Sequence, residues 1–227
     1  MLRILIPLLF GVAGAAVLVW LGLWQVQRLA WKEGILTEID TRMAETPGPV
    51  PALPDPARDR YRPVVVTGSF GDAALRVLVS RKTAGPGYLI VSPFKMQNGR
   101  RILVDRGFLR VNVPLSPPPD GVVTFSGNLH WPDDRTSATP DNDVAENIWF
   151  ARDLSQMAEM LGTEPVLVVA RALPGAAAVA PLPVDTGHIP NDHLEYAVTW
   201  FSLAGIWIVM TGFYIYRIGR RAEGTQA

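Results

Sequence analysis

Apolar positions in this chain are distributed in two unlike ways. Near each end they run on without interruption, and between the ends they come in short bursts broken by Gly, Pro and Asn. The runs Ile4–Trp24 and Ala197–Tyr216 contain no charged residue. Each has about the ~20 residues that an α-helix needs to cross ~30 Å of hydrocarbon, so both predict membrane-spanning helices. The first run exceeds the ~7 to 15 apolar residues of a signal-peptide core, which reads as an uncleaved anchor although Ala13-Gly14-Ala15 has the small residues of a cleavage site. Beyond the membrane, Gln25–Met43 has no punctuation apart from Gly34, so the first helix is expected to continue toward Ala44.

The middle of the chain changes period. Thr46 to Pro56 is rich in proline, which forbids a regular element and predicts an extended linker. Tyr61–Phe70, Leu75–Lys82, Tyr88–Met96, Arg101–Leu109 and Val122–Trp131 are β-branched or aromatic runs separated by turn residues. Asn98-Gly99 is the sharpest hairpin signal among them. Asp153–Leu161 reads as one short helix with Asp153 as N-cap and Gly162 closing it, and a last strand is expected over Pro165–Leu173. The fold class that follows is membrane α+β: two transmembrane helices flanking an antiparallel β-rich domain, either an open sheet or a small barrel. The expected boundaries are a membrane helix at 1–24, its extension at 25–45, a linker at 46–58, the β-rich domain at 59–175, a connector at 176–192, the second membrane helix at 193–217 and a tail at 218–227.

Charge and composition narrow the function. The 21 basic residues balance 21 acidic ones and form no long basic run, so nothing points to a nucleic-acid partner. Arg217, Arg220 and Arg221 follow the second apolar run, whereas Asp192 and Glu195 precede it. By the positive-inside bias both termini are cytoplasmic and the domain extracytoplasmic. There is no cysteine, which removes disulfides, thiolate metal sites and a cysteine nucleophile together.

Catalytic motifs are missing: there is no G-x-S-x-G elbow, Walker loop or G-x-G-x-x-G following a strand. The aspartates of Pro132–Asp143 lack the register of a calcium loop and read as a solvated loop. Pro190 separates His188 from the helix carrying His193, and His130 belongs to the domain, so the three histidines do not read as one zinc or copper site. What remains is the entry to the second membrane helix. His193, Tyr196 and Trp200 stand at i, i+3 and i+7, on one helix face at the membrane edge. The plain reading of His193 is an interfacial polar residue or cap. The functional reading is an axial ligand to haem iron, with Tyr196 and Trp200 against the macrocycle and a lipidic tail between the helices. On the first helix Trp24, Arg28, Trp31 and Ile35 recur at spacings of four, three and four. They form either an aromatic belt with a snorkelling Arg, or a face opposite His193 on which Arg28 or Lys32 receives anionic groups. In the domain, Arg106 is expected to pair with its neighbour Asp105, and Trp149 and Phe150 to be core or interface aromatics.

Several blocks together resemble the Surf1 (Shy1) family of cytochrome c oxidase assembly factors. They are Leu21-Gly-Leu-Trp-Gln-Val-Gln-Arg28 with Trp31 and Lys32, Arg62-Pro-Val-Val-Val-Thr-Gly68, Gly87-Tyr-Leu-Ile-Val-Ser-Pro-Phe94, Leu103-Val-Asp-Arg-Gly-Phe108, Asn147-Ile-Trp-Phe150 and Asn191-Asp-His-Leu-Glu-Tyr-Ala-Val-Thr-Trp-Phe201. The chain departs from the common family form at Glu195, where Gln is usual, and at Asp105, where Asn is frequent. The resemblance implies a non-enzymatic chaperone of respiratory-chain assembly in the inner (plasma) membrane of a bacterium, its main domain periplasmic. It further implies binding of haem a and insertion into the oxidase catalytic subunit, with haem a synthase as a further partner beside the lipid membrane. His193 would be the metal ligand, and Tyr196, Trp200, Trp24 and Arg28 the remaining haem contacts. The alternative is a membrane scaffold, free of haem, that steadies the catalytic subunit during maturation.

Overall fold

The computed structural model describes residues 2–223 apart from 83, 176, 177 and 188, with side chains from Ile4 to Arg220. Two units result. One comprises residues 1–38 and 187–227, and the other Ile39–Thr186.

In the first unit, helix α1 (Leu2–Met43) and helix α4 (His193–Glu223) are both long and apolar enough to cross a membrane. At ~1.5 Å per residue, the 42 residues of α1 span roughly 60 Å, about twice the hydrocarbon thickness. The two helices pack antiparallel through small residues. A Cβ on Gly11 would lie 2.2 Å from Thr211, and one on Gly22 would lie 2.7 Å from Phe201. On the facing helix Ala197 and Ala204, seven residues apart, are buried. Where lipid offers tails as apolar as leucine, such close backbone approach and interhelical hydrogen bonds drive association. One such bond is present, from Trp207 Nε1 to the Gly11 carbonyl at 2.9 Å.

The second unit is a five-stranded barrel with additions. Strands β1 (Pro63–Phe70), β3 (Gly85–Met96), β4 (Arg101–Arg110), β5 (Val123–His130) and β7 (Leu167–Ala170) follow the order β1-β5-β7-β4-β3, and β3 returns to β1 through Gly68–Met96, Ser69–Lys95 and Phe70–Phe94. Closure removes the free edges that an open sheet would leave. Strand β2 (Leu75–Arg81) joins β3 as a hairpin, and the two-residue β6 (Ile148–Trp149) adds to β2 in parallel. Most pairings are antiparallel, as the alternation predicts. The exceptions are β2–β6 and β4–β7, and in the second of these the last strand inserts beside β4.

Strand β4 holds the domain together because it is buried on both faces. Ile102 and Val104 point into the barrel with Val64, Val66, Phe125 and Leu129, where Phe94 meets Phe70 and Phe125 edge-on. Leu103 points the other way, into a cluster with Trp149, Met157 and Leu161. The latter two come from helix α3 (Leu154–Leu161), which has Asp153 as N-cap and Gly162 in the left-handed conformation at its end. This two-sided burial explains why β4 shows none of the apolar–polar alternation of a half-solvated strand.

The proline-rich segment corrects an expectation. It is no free linker: Gly48 bridges Val64, Val65 donates to the Gly48 carbonyl at 2.8 Å, and Val50 is buried in the barrel core. It also contains a single helical turn, α2 (Pro56–Asp59), capped by Asp55. Prolines prevent the segment from making a ladder of its own, yet its extended backbone can still lie along a strand already present.

Candidate functional site

At the start of α4, Asp192 accepts the first helical hydrogen bond from Tyr196 N at 3.1 Å, which places His193 in the first turn. The antiparallel packing sets this turn beside the end of α1's apolar stretch. There Gln25, 8% exposed, meets the ring: Nδ1 of His193 and Oε1 of Gln25 are 2.8 Å apart. Seven residues on, the ammonium of Lys32 donates to the Pro190 carbonyl just ahead of α4. Two polar contacts thus tie the entry of α4 to α1.

The sequence-derived candidates fall into two groups around this contact. His193 and Trp200 are half-buried, and they continue the α4 stripe of Ala197 and Ala204 that faces α1. Tyr196, Trp24 and Arg28 lie on exposed flanks. Arg28 is turned along its own helix, its guanidinium 3.8 Å from the centre of the Trp31 ring. The residue of α1 that meets His193 is Gln25, one position beyond Trp24 and therefore about 100° around the helix from the Trp24–Arg28 face. Sequence reasoning passed over Gln25. The signal was an amide at the edge of an apolar helix, a place where polar side chains seldom lie without a partner. His188 lies outside the described residues, and among those described no cluster of three or more metal-ligating side chains occurs.

The domain carries a separate buried charge network, and here the expected Asp105–Arg106 pair is overturned. Neighbours on a strand face opposite sides of the sheet. Asp105 therefore points toward α3, where Arg152 Nη1 approaches Oδ2 at 3.3 Å and Gly107 N donates to Oδ1 at 2.9 Å. Arg152 also grips Asp134, with Nε 2.7 Å from Oδ2. Arg106 turns to the other face, fully buried near the Phe70 ring, and donates to the Ser116 and Pro117 carbonyls. Burial pushes the Asp105 carboxyl up to about 6 despite Arg152. Burial, aided by the charge of Arg152, lowers His130 to about 4. Burial also works against ionised Asp134, but its hydrogen bonds to Arg152 prevail and hold it below the usual carboxylate range. Three of the four acids of the 132–143 loop thus make internal contacts: besides Asp134, Asp141 meets Arg135 and Asp143 caps Glu146 N.

The sequence profile of the SURF1 family matches residues 12–205, covering most of α1, the first part of α4 and the whole barrel. The chain belongs to the SURF1 family. That family is known as one of cytochrome oxidase assembly factors. Among its relatives, human Surfeit locus protein 1 is 31% identical over 210 residues, 81% of this chain and 69% of the human one. A SURF1-like protein of Drosophila melanogaster is 34% identical over 222 residues, 87% of this chain and 72% of its own. A bacterial SURF1-like protein, from Rickettsia bellii, is 31% identical over 222 residues, covering 92% of this chain and 89% of that one. The match to SURF1 sequences therefore takes in the Gln25 and His193 blocks as well as the barrel strands.

Proposed function

We propose that this SURF1 family member receives haem a at the membrane edge and assists its insertion into the catalytic subunit of a haem-copper cytochrome c oxidase. His193 is the iron ligand in this reading. The observation that carries it is the half-buried His193 ring, held through one nitrogen against α1 while no hydrogen bond engages the other among the described residues. A neutral imidazole with one open nitrogen is a standard axial ligand. Haem a is the cargo and brings its own iron chemistry; the chain binds and orients it.

Two further features support the reading. The exposed Tyr196 and Trp24 rings and the half-buried Trp200 offer apolar surface near the ligand. Deeper along the same pair, Phe10, Gly14, Val17, Leu203, Trp207 and Met210 line an apolar groove of about 500 Å³. Leu203 is ten residues from His193, roughly 15 Å along the helix, a distance that suits a long hydrocarbon substituent. Arg28, exposed and stacked on Trp31, is the cation for the propionates, whereas Lys32 is already committed to the Pro190 carbonyl. Arg217 and Arg220 beyond the second apolar run favour cytoplasmic termini and a periplasmic barrel in a bacterial plasma membrane. The oxidase catalytic subunit is the receiving partner, and haem a synthase the supplying one.

The test is spectroscopic. The protein is co-produced with the haem a biosynthetic enzymes, purified in mild detergent and reduced, beside its His193→Ala variant. A haem a band in the wild type that the variant loses is the expected result. Oxidase association without a band in either protein would replace this reading with that of a scaffold.

A further inference from the structure

Gln25 is buried at the end of the apolar stretch of α1, and a buried primary amide costs free energy unless it finds a partner. Its partner is the His193 ring. The geometry carries more chemistry than a helix clamp requires. With the amide oxygen, which can only accept, facing the ring at 2.8 Å, Nδ1 of His193 is the donor and carries a ring proton. In the neutral imidazole the lone pair then resides on Nε2, directed away from Gln25. The opposite tautomer would set Nδ1 and Oε1 as two acceptors facing each other and would require the amide to turn over and donate its NH2 instead.

We infer that Gln25 is the positioning residue of the site: it fixes the Nδ1–H tautomer of His193 and so presents Nε2 as the electron-pair donor. This deepens the haem-ligand reading and rests on it for the identity of the acceptor, whereas the tautomer itself is a property of the free protein. A histidine that donates its second N–H to a carbonyl or carboxylate is oriented and made more basic toward a metal. The acceptor's charge should therefore be felt at the iron. Glu at position 25 strengthens the acceptor, and Leu removes it while suiting the apolar helix.

The full-length protein in detergent, with ¹⁵N-labelled histidine, tests this in two steps. Long-range ¹H–¹⁵N correlations read the His193 tautomer without haem, assigned by its loss in His193→Ala. The wild type is expected to show Nδ1–H, and Gln25→Leu to shift the population toward Nε2–H. Hemin titration then reads ligation, with roughly 10- to 100-fold weaker binding expected for Gln25→Leu, the usual loss when such a supporting acceptor is removed. Gln25→Glu should keep the affinity and move the reduction potential of the bound haem negative of the wild type. A purely structural clamp would move none of these spectroscopic values. A wild-type Nε2–H tautomer, or a tautomer and affinity unchanged in Gln25→Leu, would overturn the inference. Hemin bound by none of the three proteins sinks the haem reading instead, while the tautomer still decides whether Gln25 sets the ring.

Discussion

Asp105 offers a quantitative test of how the barrel handles a buried charge. Its carboxylate is 2% exposed and within reach of Arg152, yet burial outweighs that cation and pushes the carboxyl up to about 6. The folded state thus holds this proton more tightly than the unfolded chain, whose carboxyl titrates near 3.8. Between those two values the folded state binds more protons, so stability falls as pH rises through the window, and the cost is complete above pH 6. At about 1.4 kcal/mol for each tenfold change in proton affinity, the ionised carboxylate costs about 3 kcal/mol at neutral pH. Asp105→Asn puts a neutral group of the same shape there. It keeps the oxygen that accepts from Gly107 N and leaves Arg152 paired with Asp134. We expect the variant to match the wild type near pH 4 and to exceed it by up to about 3 kcal/mol at pH 7.5. For a domain of this size that is roughly 6–12 °C in Tm. Thermal unfolding of the full-length protein in detergent at both pH values, followed by fluorescence of the fully buried Trp149, would measure it. A variant less stable than the wild type at pH 7.5, with the deficit vanishing at pH 4, would refute the reasoning and show that the attraction of Arg152 exceeds the cost of burial.

Two further outcomes follow from the same domain. His130 is lowered to about 4 from 6.5, so its contribution is present above pH 6.5 and lost as pH falls toward 4; this opposes Asp105 across nearly the same range. His130→Phe keeps a ring beside Tyr61, 5.6 Å away, and should leave the domain more stable at pH 4.5 than at 6.5 by urea midpoint, where a pH profile parallel to the wild type would contradict the assignment. Gly107 has φ +119° and its Cβ would lie 2.1 Å from the Ala180 carbonyl oxygen, whereas Gly99 has φ +88° in open space. Gly107→Ala should cost roughly 3 kcal/mol or more and Gly99→Ala about 1, so equal denaturation midpoints would show that the Ala180 contact is soft.

Much of this protein is determined locally. Uncharged runs of membrane length can bury themselves only in lipid or a large core, and β-branched bursts divided by a pair such as Asn98-Gly99 can form little but short hairpin strands. The α3 caps at Asp153 and Gly162 are equally local, since each acts within a few residues of itself. The resemblance to SURF1 likewise resides in short blocks and needs no coordinates. His193 was legible as a candidate because an imidazole at the entry of an apolar helix is conspicuous.

Tertiary structure decided everything that depends on distant segments. Insertion of β7 beside β4, and closure of β3 onto β1, depend on which strands meet across the chain, and alternation carries no label for a partner. The proline segment looked free because its contacts, Gly48 to Val64 and Val50 in the core, belong to another part of the sequence. Asp105 and Arg106 are adjacent in the chain but separated by a sheet, so Asp105 pairs with Arg152, 47 residues away. The same applies at the helix pair, where Gln25 and His193 are 168 positions apart. Sequence can show that each is a polar group needing a partner at an apolar boundary. Only the antiparallel packing of α1 and α4 could make them partners of each other.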